Sequence, residues 1–190
     1  MKTFLQPLQN LAEMEELQKL AGKNRGVIAV SGCMESQKAH LMYGLSGLFP
    51  CHLILSEDER SAKQIYEDYR FYDRDVLYYP ARDLLFFQAD IHGNLIIRQR
   101  MQVIKALLTR EEVTVVTSVD GCMDFLGSLE NIKKQLICFR NDSALDLDKL
   151  KDSLVQMGYE RVGQVEMPGQ FSIRGGIVDI YALTEENPWR

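Results

Sequence analysis

The chain has 190 residues, 46% of them hydrophobic and 26% charged, enough to bury roughly 70% of the unfolded surface in a core that needs no disulfide or metal staples. Its formal net charge of −5 excludes a generally basic, nucleic-acid-coating surface and leaves only a local basic patch open. No apolar run approaches the ~20 residues of a membrane-spanning helix, and "MKTFLQPLQNLAEMEELQ" lacks the apolar segment of a secretory signal, so a cytoplasmic chain without a membrane partner is expected. Cys33, Cys51, Cys122 and Cys138 are widely spaced with no C-x-x-C pair, which reads as reduced, mostly structural thiols and neither a metal site nor a disulfide framework.

Taken in order, the first elements alternate. Leu11, Met14, Leu17 and Leu20 recur at helical spacing within residues 8–21, and "GVIAVSG" from Gly26 follows as a short buried strand. A second helix runs from Glu35 to Leu48, and "CHLILS" is the next strand. Ala62, Ile65, Tyr69 and Tyr72, three and four apart, make an amphipathic stripe, and "VLYYP" closes a third strand. After the connection "ARDLLFFQADIHGN", Ile97, Met101, Ile104 and Leu108 share one helix face, with Arg98, Arg100, Lys105 and Arg110 read as a solvated basic face, DNA contact there being the alternative. "VTVVTS" is a β-branched, apolar fourth strand. Strands separated by helices predict a parallel sheet covered on both faces.

The pattern changes near residue 125. "KKQLICF" reads as a strand, and Leu147, Leu150, Leu154 and Met157 form a helix stripe capped by Gly158. "YERVGQVE", "QFSIRG" and "GIVDIYAL" follow as strands, with Pro168-Gly169 and Gly175-Gly176 as turn signals. The predicted organisation is an α/β domain over residues 1–125 and a small α+β domain over 126–190. The abrupt end at "NPWR", straight after an apolar strand, reads as a piece of a longer chain.

Several local motifs carry potential chemistry. "VSGCMESQKAHL" places Gly32 and Lys38 in the register of a P-loop, G-x-x-x-x-G-K-[ST], whose glycines let backbone amides wrap phosphates and whose hydroxyl ligates magnesium. Gln37 replaces the second glycine and Ala39 the hydroxyl, so the loop is degenerate and no nucleotide cofactor is expected in this chain. In "LILSEDERS", Asp58-Glu59 could hold magnesium, but Ser56 and Glu59 also fit an S-x-x-E capping box, which is the plainer reading. A stand-alone NTPase or phosphotransferase using Lys38, Asp58 and Glu59 is the enzymatic alternative. Cys33 after a strand suits a low-pKa thiol, yet a thiol phosphatase needs an Arg six positions on, where Ala39 stands. His40, His52 and His92 have neither metal-ligand spacing nor an acid partner in sequence. Tyr78-Tyr79 and Phe86-Phe87 bracket Arg82, a base-stacking arrangement for which core packing is the simpler account. In "QFSIRGG", alternation turns Phe171 and Ile173 to one side and Ser172 and Arg174 to the other, which exposes Arg174, and Arg190 after Trp189 can share that surface. Arginine beside a large aromatic is a composition enriched at interface hot spots and equally common as ordinary surface.

The segment "GYERVGQVEMPGQFSIRGGIVDIYAL", followed by "PWR", resembles the bacterial transcription-repair coupling factor family (Mfd), and "YYPARDLLFF", "RQRMQVIKALL" and "VTVVTSVDGCMDFL" are similar to earlier parts of the same region. That region is itself similar to UvrB, the damage-loading component of the UvrABC excinuclease, which carries a working P-loop where this chain has Gln37 and Ala39. The resemblance implies a degenerate NTPase-like domain, an inserted small domain that binds the excinuclease component UvrA, and a further NTPase-like part beyond residue 190. It implies that Arg174 and Arg190 contact UvrA, and that this stretch is not itself an enzyme. ATP and magnesium, DNA translocation and displacement of RNA polymerase would belong to motor domains of the full-length family. The connection over residues 79–93 is too short for the long DNA-clamping hairpin of UvrB.

Overall fold

The computed structural model describes residues 5–23, 26–82, 90–124, 126–134, 136, 137, 139 and 145–190. In chain order the elements are α1 (Gln6–Gln9), α2 (Ala12–Lys23), α3 (Glu35–Leu45), β1 (Cys51–Ser56), α4 (Glu59–Tyr69), β2 (Leu77–Tyr79), α5 (Asp90–Thr109), β3 (Val113–Ser118), α6 (Val119–Met123), α7 (Leu129–Lys134), α8 (Leu147–Gln156), β4 (Glu160–Arg161), β5 (Gln170–Arg174) and β6 (Ile177–Ile180). They form two compact units, Met1–Ala81 with Thr109–Asp124, and Arg82–Leu108 with Phe125–Arg190.

The first unit is α/β. β3 lies between β1 and β2 and runs parallel to both. Its run of Val and Thr is buried at every position, the environment in which β-branched side chains pack best. Ile54, Ala62, Tyr69, Val76, Tyr78 and Val116 make the core, with Met42, Tyr43, Ile65 and Tyr66 packed against it. The stripe of α4 therefore faces the sheet as its spacing predicts, and just beyond it Tyr72 stacks on His40 with ring centroids 4.8 Å apart.

Three expectations for this part of the chain need correction. "GVIAVSG" is not a strand: residues 26–32 pair with nothing among the described residues, and Val27 is 99% exposed. A short apolar run fixes neither strand nor register by itself, and although β1 and β2 each keep one edge unpaired among the described residues, residues 26–32 join neither. The helix over 8–21 is two helices, because the chain turns at Asn10, whose N–H bonds Leu8 O. The structural reading of the cysteines fails for Cys51 and Cys122, which are exposed free thiols; Cys138 lies outside the described residues. So do Phe86 and Phe87 and much of the 79–93 connection.

In the second unit β5 sits between β4, parallel to it, and β6, antiparallel to it. Leu150 and Leu154 of α8 pack on Phe171, which is fully buried, with Met157, Tyr159, Ile173, Val178 and Ile180 around them. Gly158 ends α8 as expected, and the N–H of Tyr159 reaches back to Leu154 O at 2.9 Å. α5 is tied to the segment after β6 by Gln102 Nε2 donating to Thr184 O at 3.2 Å and by Lys105 pairing with Glu185 at 2.8 Å. The expected basic face is solvated only in part: Lys105 and Arg110 are exposed, whereas Arg98 is half-buried 3.9 Å from Glu186 and Arg100 is only 4% exposed. The expected strand "KKQLICF" is also absent where it can be described. Lys133 and Lys134 instead close α7, where cations suit the negative end of the helix, and Leu136, Ile137 and Phe139 carry no strand. "YERVGQVE" contributes only the two residues of β4.

Candidate functional site

A charged face of the second unit is built by the hairpin β5–β6. Its two-residue turn, Gly175-Gly176, pairs Arg174 with Ile177 and Ser172 with Asp179. Gly175 takes φ 61, a left-handed conformation that a side chain would resist, so the turn and its register depend on glycine there. This register puts Arg174 and Asp179 on one face as diagonal neighbours. On the far side of β6, Ile180 and Trp189 exchange backbone hydrogen bonds of 2.9 and 2.8 Å, which brings Arg190 opposite Asp179.

Three side chains thereby meet. Arg174 Nη2 donates to Asp179 Oδ2 at 2.8 Å, and Arg190 donates through Nε to Oδ1 at 2.7 Å and through Nη2 to Oδ2 at 3.3 Å. The Asp179 side chain is 12% exposed, against 55% for Arg174 and 71% for Arg190. The Arg190 and Arg174 guanidiniums hold the Asp179 carboxyl below the usual carboxylate range, against the opposing effect of burial. Trp189, 66% exposed, lines the same open groove with Gln164, Val165 and Pro188. Arg174 is exposed as alternation predicts, but Ser172 on the same face is 1% exposed, because its hydroxyl donates to Gly163 O at 3.2 Å and the chain after β4 covers it. Sequence reasoning missed Asp179. The signal was present in the two-glycine turn, which fixes the register that aligns Asp179 with Arg174.

In the first unit the stretch 32–39, expected to be a degenerate P-loop, leads into α3 and makes local contacts. Gly32 has φ 83, and Gln37 lies inside α3, where its Oε1 accepts the N–H of Met34 at 3.2 Å. Gln37 is the third residue of α3 and reaches back to its N-cap residue, the reciprocal half of a capping box. Lys38 Nζ pairs with Glu35 at 2.6 Å, and Ala39 is buried. Among the described residues no hydrogen bond joins Lys38 to Asp58 or Glu59. The cap of α4 is Asp58, accepting Ser61 N–H at 2.7 Å, and not the expected Ser56–Glu59 box. Glu59 turns inward instead: it accepts the Tyr78 hydroxyl, the Ala81 N–H at 3.2 Å and the Ser118 hydroxyl at 2.6 Å. It is a staple between α4 and the carboxyl ends of β2 and β3.

A protein-family profile described as the UvrB interaction domain matches residues 137–190, the stretch that contains Arg174, Asp179 and Arg190. The chain is 33% identical over 176 residues to a transcription-repair-coupling factor of Bacillus subtilis, covering 85% of this chain and 15% of that protein. It is 30% identical over 150 residues to UvrABC system protein B of Thermotoga neapolitana, covering 70% of this chain and 22% of that protein. The chain resembles the N-terminal region of a transcription-repair coupling factor. A second coupling factor, from Staphylococcus haemolyticus, is 27% identical over 179 residues, 93% of this chain and 15% of the relative. This coupling-factor-like region thus spans about one-seventh of the length of the coupling factors it matches over most of its own length. Both kinds of relative carry names from DNA repair, and the resemblance bridges the two units described above.

Proposed function

We propose that this chain is the recruiting module of a transcription-repair coupling factor, taking the excinuclease component UvrA on its second unit through Arg174 and Arg190. The observation that carries this reading is the convergence of those two exposed arginines, sixteen positions apart, on one carboxylate beside an exposed tryptophan. Planar guanidiniums pair bidentately with carboxylates, and Arg and Trp are the residue types that dominate interface energetics. The match to the UvrB interaction domain over the same residues supports it. On this reading the first unit is a degenerate P-loop NTPase-like scaffold that needs no ATP or magnesium. Its support is the local contact between Met34 and Gln37, the Lys38–Glu35 pair, and the structural employment of Asp58 and Glu59. ATP-driven DNA translocation and contact with RNA polymerase belong to other segments of such a cytoplasmic factor.

The test is retention of purified UvrA by the immobilised chain. Wild type and Lys38→Ala retain it, while Arg174→Ala and Arg190→Ala lose roughly 30-fold or more in affinity, the cost of leaving one member of a desolvated charge pair alone. Wild-type retention by the arginine variants would move the binding face elsewhere. Saturable micromolar binding of ATP and magnesium, abolished by Lys38→Ala, would favour the NTPase alternative.

A further inference from the structure

Two guanidiniums repel each other, yet Arg174 and Arg190 are drawn onto one carboxylate on an exposed sheet face. The three groups come from three adjacent backbone segments, β5, β6 and the chain at Trp189–Arg190, with Asp179 in the middle. Asp179 accepts one N–H of Arg174 and two of Arg190, while each guanidinium has five, so most of their donors stay available. The cluster also carries one more positive charge than negative. Its donors are ordered before any partner arrives, which removes part of the side-chain ordering cost of association.

The geometry points to Asp179 as a positioning residue that gathers Arg174 and Arg190 into one acceptor site for a single partner carboxylate. That carboxylate would bridge the two guanidiniums on the side away from Asp179 and cancel the excess charge. Two separate partner carboxylates would instead pull the arginines apart and break bonds to Asp179. Trp189, Pro188 and Val165 line the same groove, so the partner side chain next to the carboxylate is apolar or aromatic. The inference rests on this face being the one UvrA uses.

The experiment is calorimetric titration of UvrA with the intact chain and with Arg174→Ala, Arg190→Ala, the double variant and Asp179→Asn, each checked for its melting temperature. If both arginines grip one carboxylate, the double variant binds no more than a few-fold worse than the weaker single; independent contacts would multiply two ~30-fold losses to roughly a thousandfold. Asp179→Asn discriminates by sign. Removing its charge makes the cluster more positive, so simple attraction to an acidic partner would tighten binding, whereas loss of the positioning carboxylate weakens it about tenfold, a factor corresponding to ~1.4 kcal/mol. Multiplicative arginine losses, or an Asp179→Asn chain that binds as well as or better than wild type, overturn the inference and leave the UvrA face standing. Wild-type affinity in every variant overturns both. Should Asp179→Asn fail to fold, the arginine cycle alone decides, since it leaves Asp179 in place.

Discussion

Asp179 is where the chemistry of single residues matters most. Its folded pKa is depressed below the ordinary value of 3.8, by Arg190 first and by Arg174 as a further cause. A depressed carboxyl binds fewer protons in the folded than in the unfolded chain, so its stabilising contribution is complete above the ordinary value and is lost as pH falls through the lowered one. Wild type should therefore outlast Asp179→Asn in thermal melts at neutral pH, and the gap should close on acidification below the usual carboxylate range. A gap that stays constant down to acid pH would mean that the two arginines do not hold the carboxylate. Residue chemistry was only partly legible in the sequence. Strand alternation exposed Arg174 correctly. It also put Ser172 on that side but says nothing of its burial, because a period of two reports which side a residue faces and not what the rest of the chain lays over that side.

Elements were legible where their pattern is internal to the segment. The helix stripe at Leu150 and Leu154 and the run Val113–Ser118 carry their burial in their own sequence, and each stands as read; Cys51–Ser56 is the expected strand, but it buries Ile54 and Ser56 and leaves Leu53 and Leu55 exposed. Residues 26–32 and 133–139 were misread because strand identity depends on a partner edge that may lie anywhere in the chain. The same is true of the loop at Gln37. The sequence showed that it lacks the second glycine and the hydroxyl, but not that Gln37 turns back to cap its own helix. Since Leu154 is 3% exposed against fully buried Phe171, Leu154→Ala should cost about 2–5 kcal/mol by loss of transfer energy and by the cavity it leaves. Denaturant unfolding of the second unit measures this, and a loss under about 1 kcal/mol would show that α8 is not packed as described.

For the whole molecule, we propose a protease-accessible junction between about 120 and 135, at the boundary expected between residues 1–125 and 126–190; the second compact unit also takes in Arg82–Leu108 from before that junction. The bonds from α5 to residues 184–186 predict that the two fragments of such a cut stay together: Gln102 and Lys105 lie on one fragment, Thr184 and Glu185 on the other. Co-elution of the nicked chain in size-exclusion chromatography is the expected result, and spontaneous separation would contradict the placement of α5.

The central claim is that partner recruitment sits on the hairpin and the segment that follows it, and that the loop at residues 32–39 takes no part. Amide hydrogen exchange of the intact chain, with and without saturating UvrA and without nucleotide, tests this most directly. New protection across 162–190, strongest around Arg174, Asp179 and Arg190, with unchanged exchange at 26–41, is the predicted result. Protection confined to 26–56, or none anywhere under conditions where UvrA is retained, would contradict it.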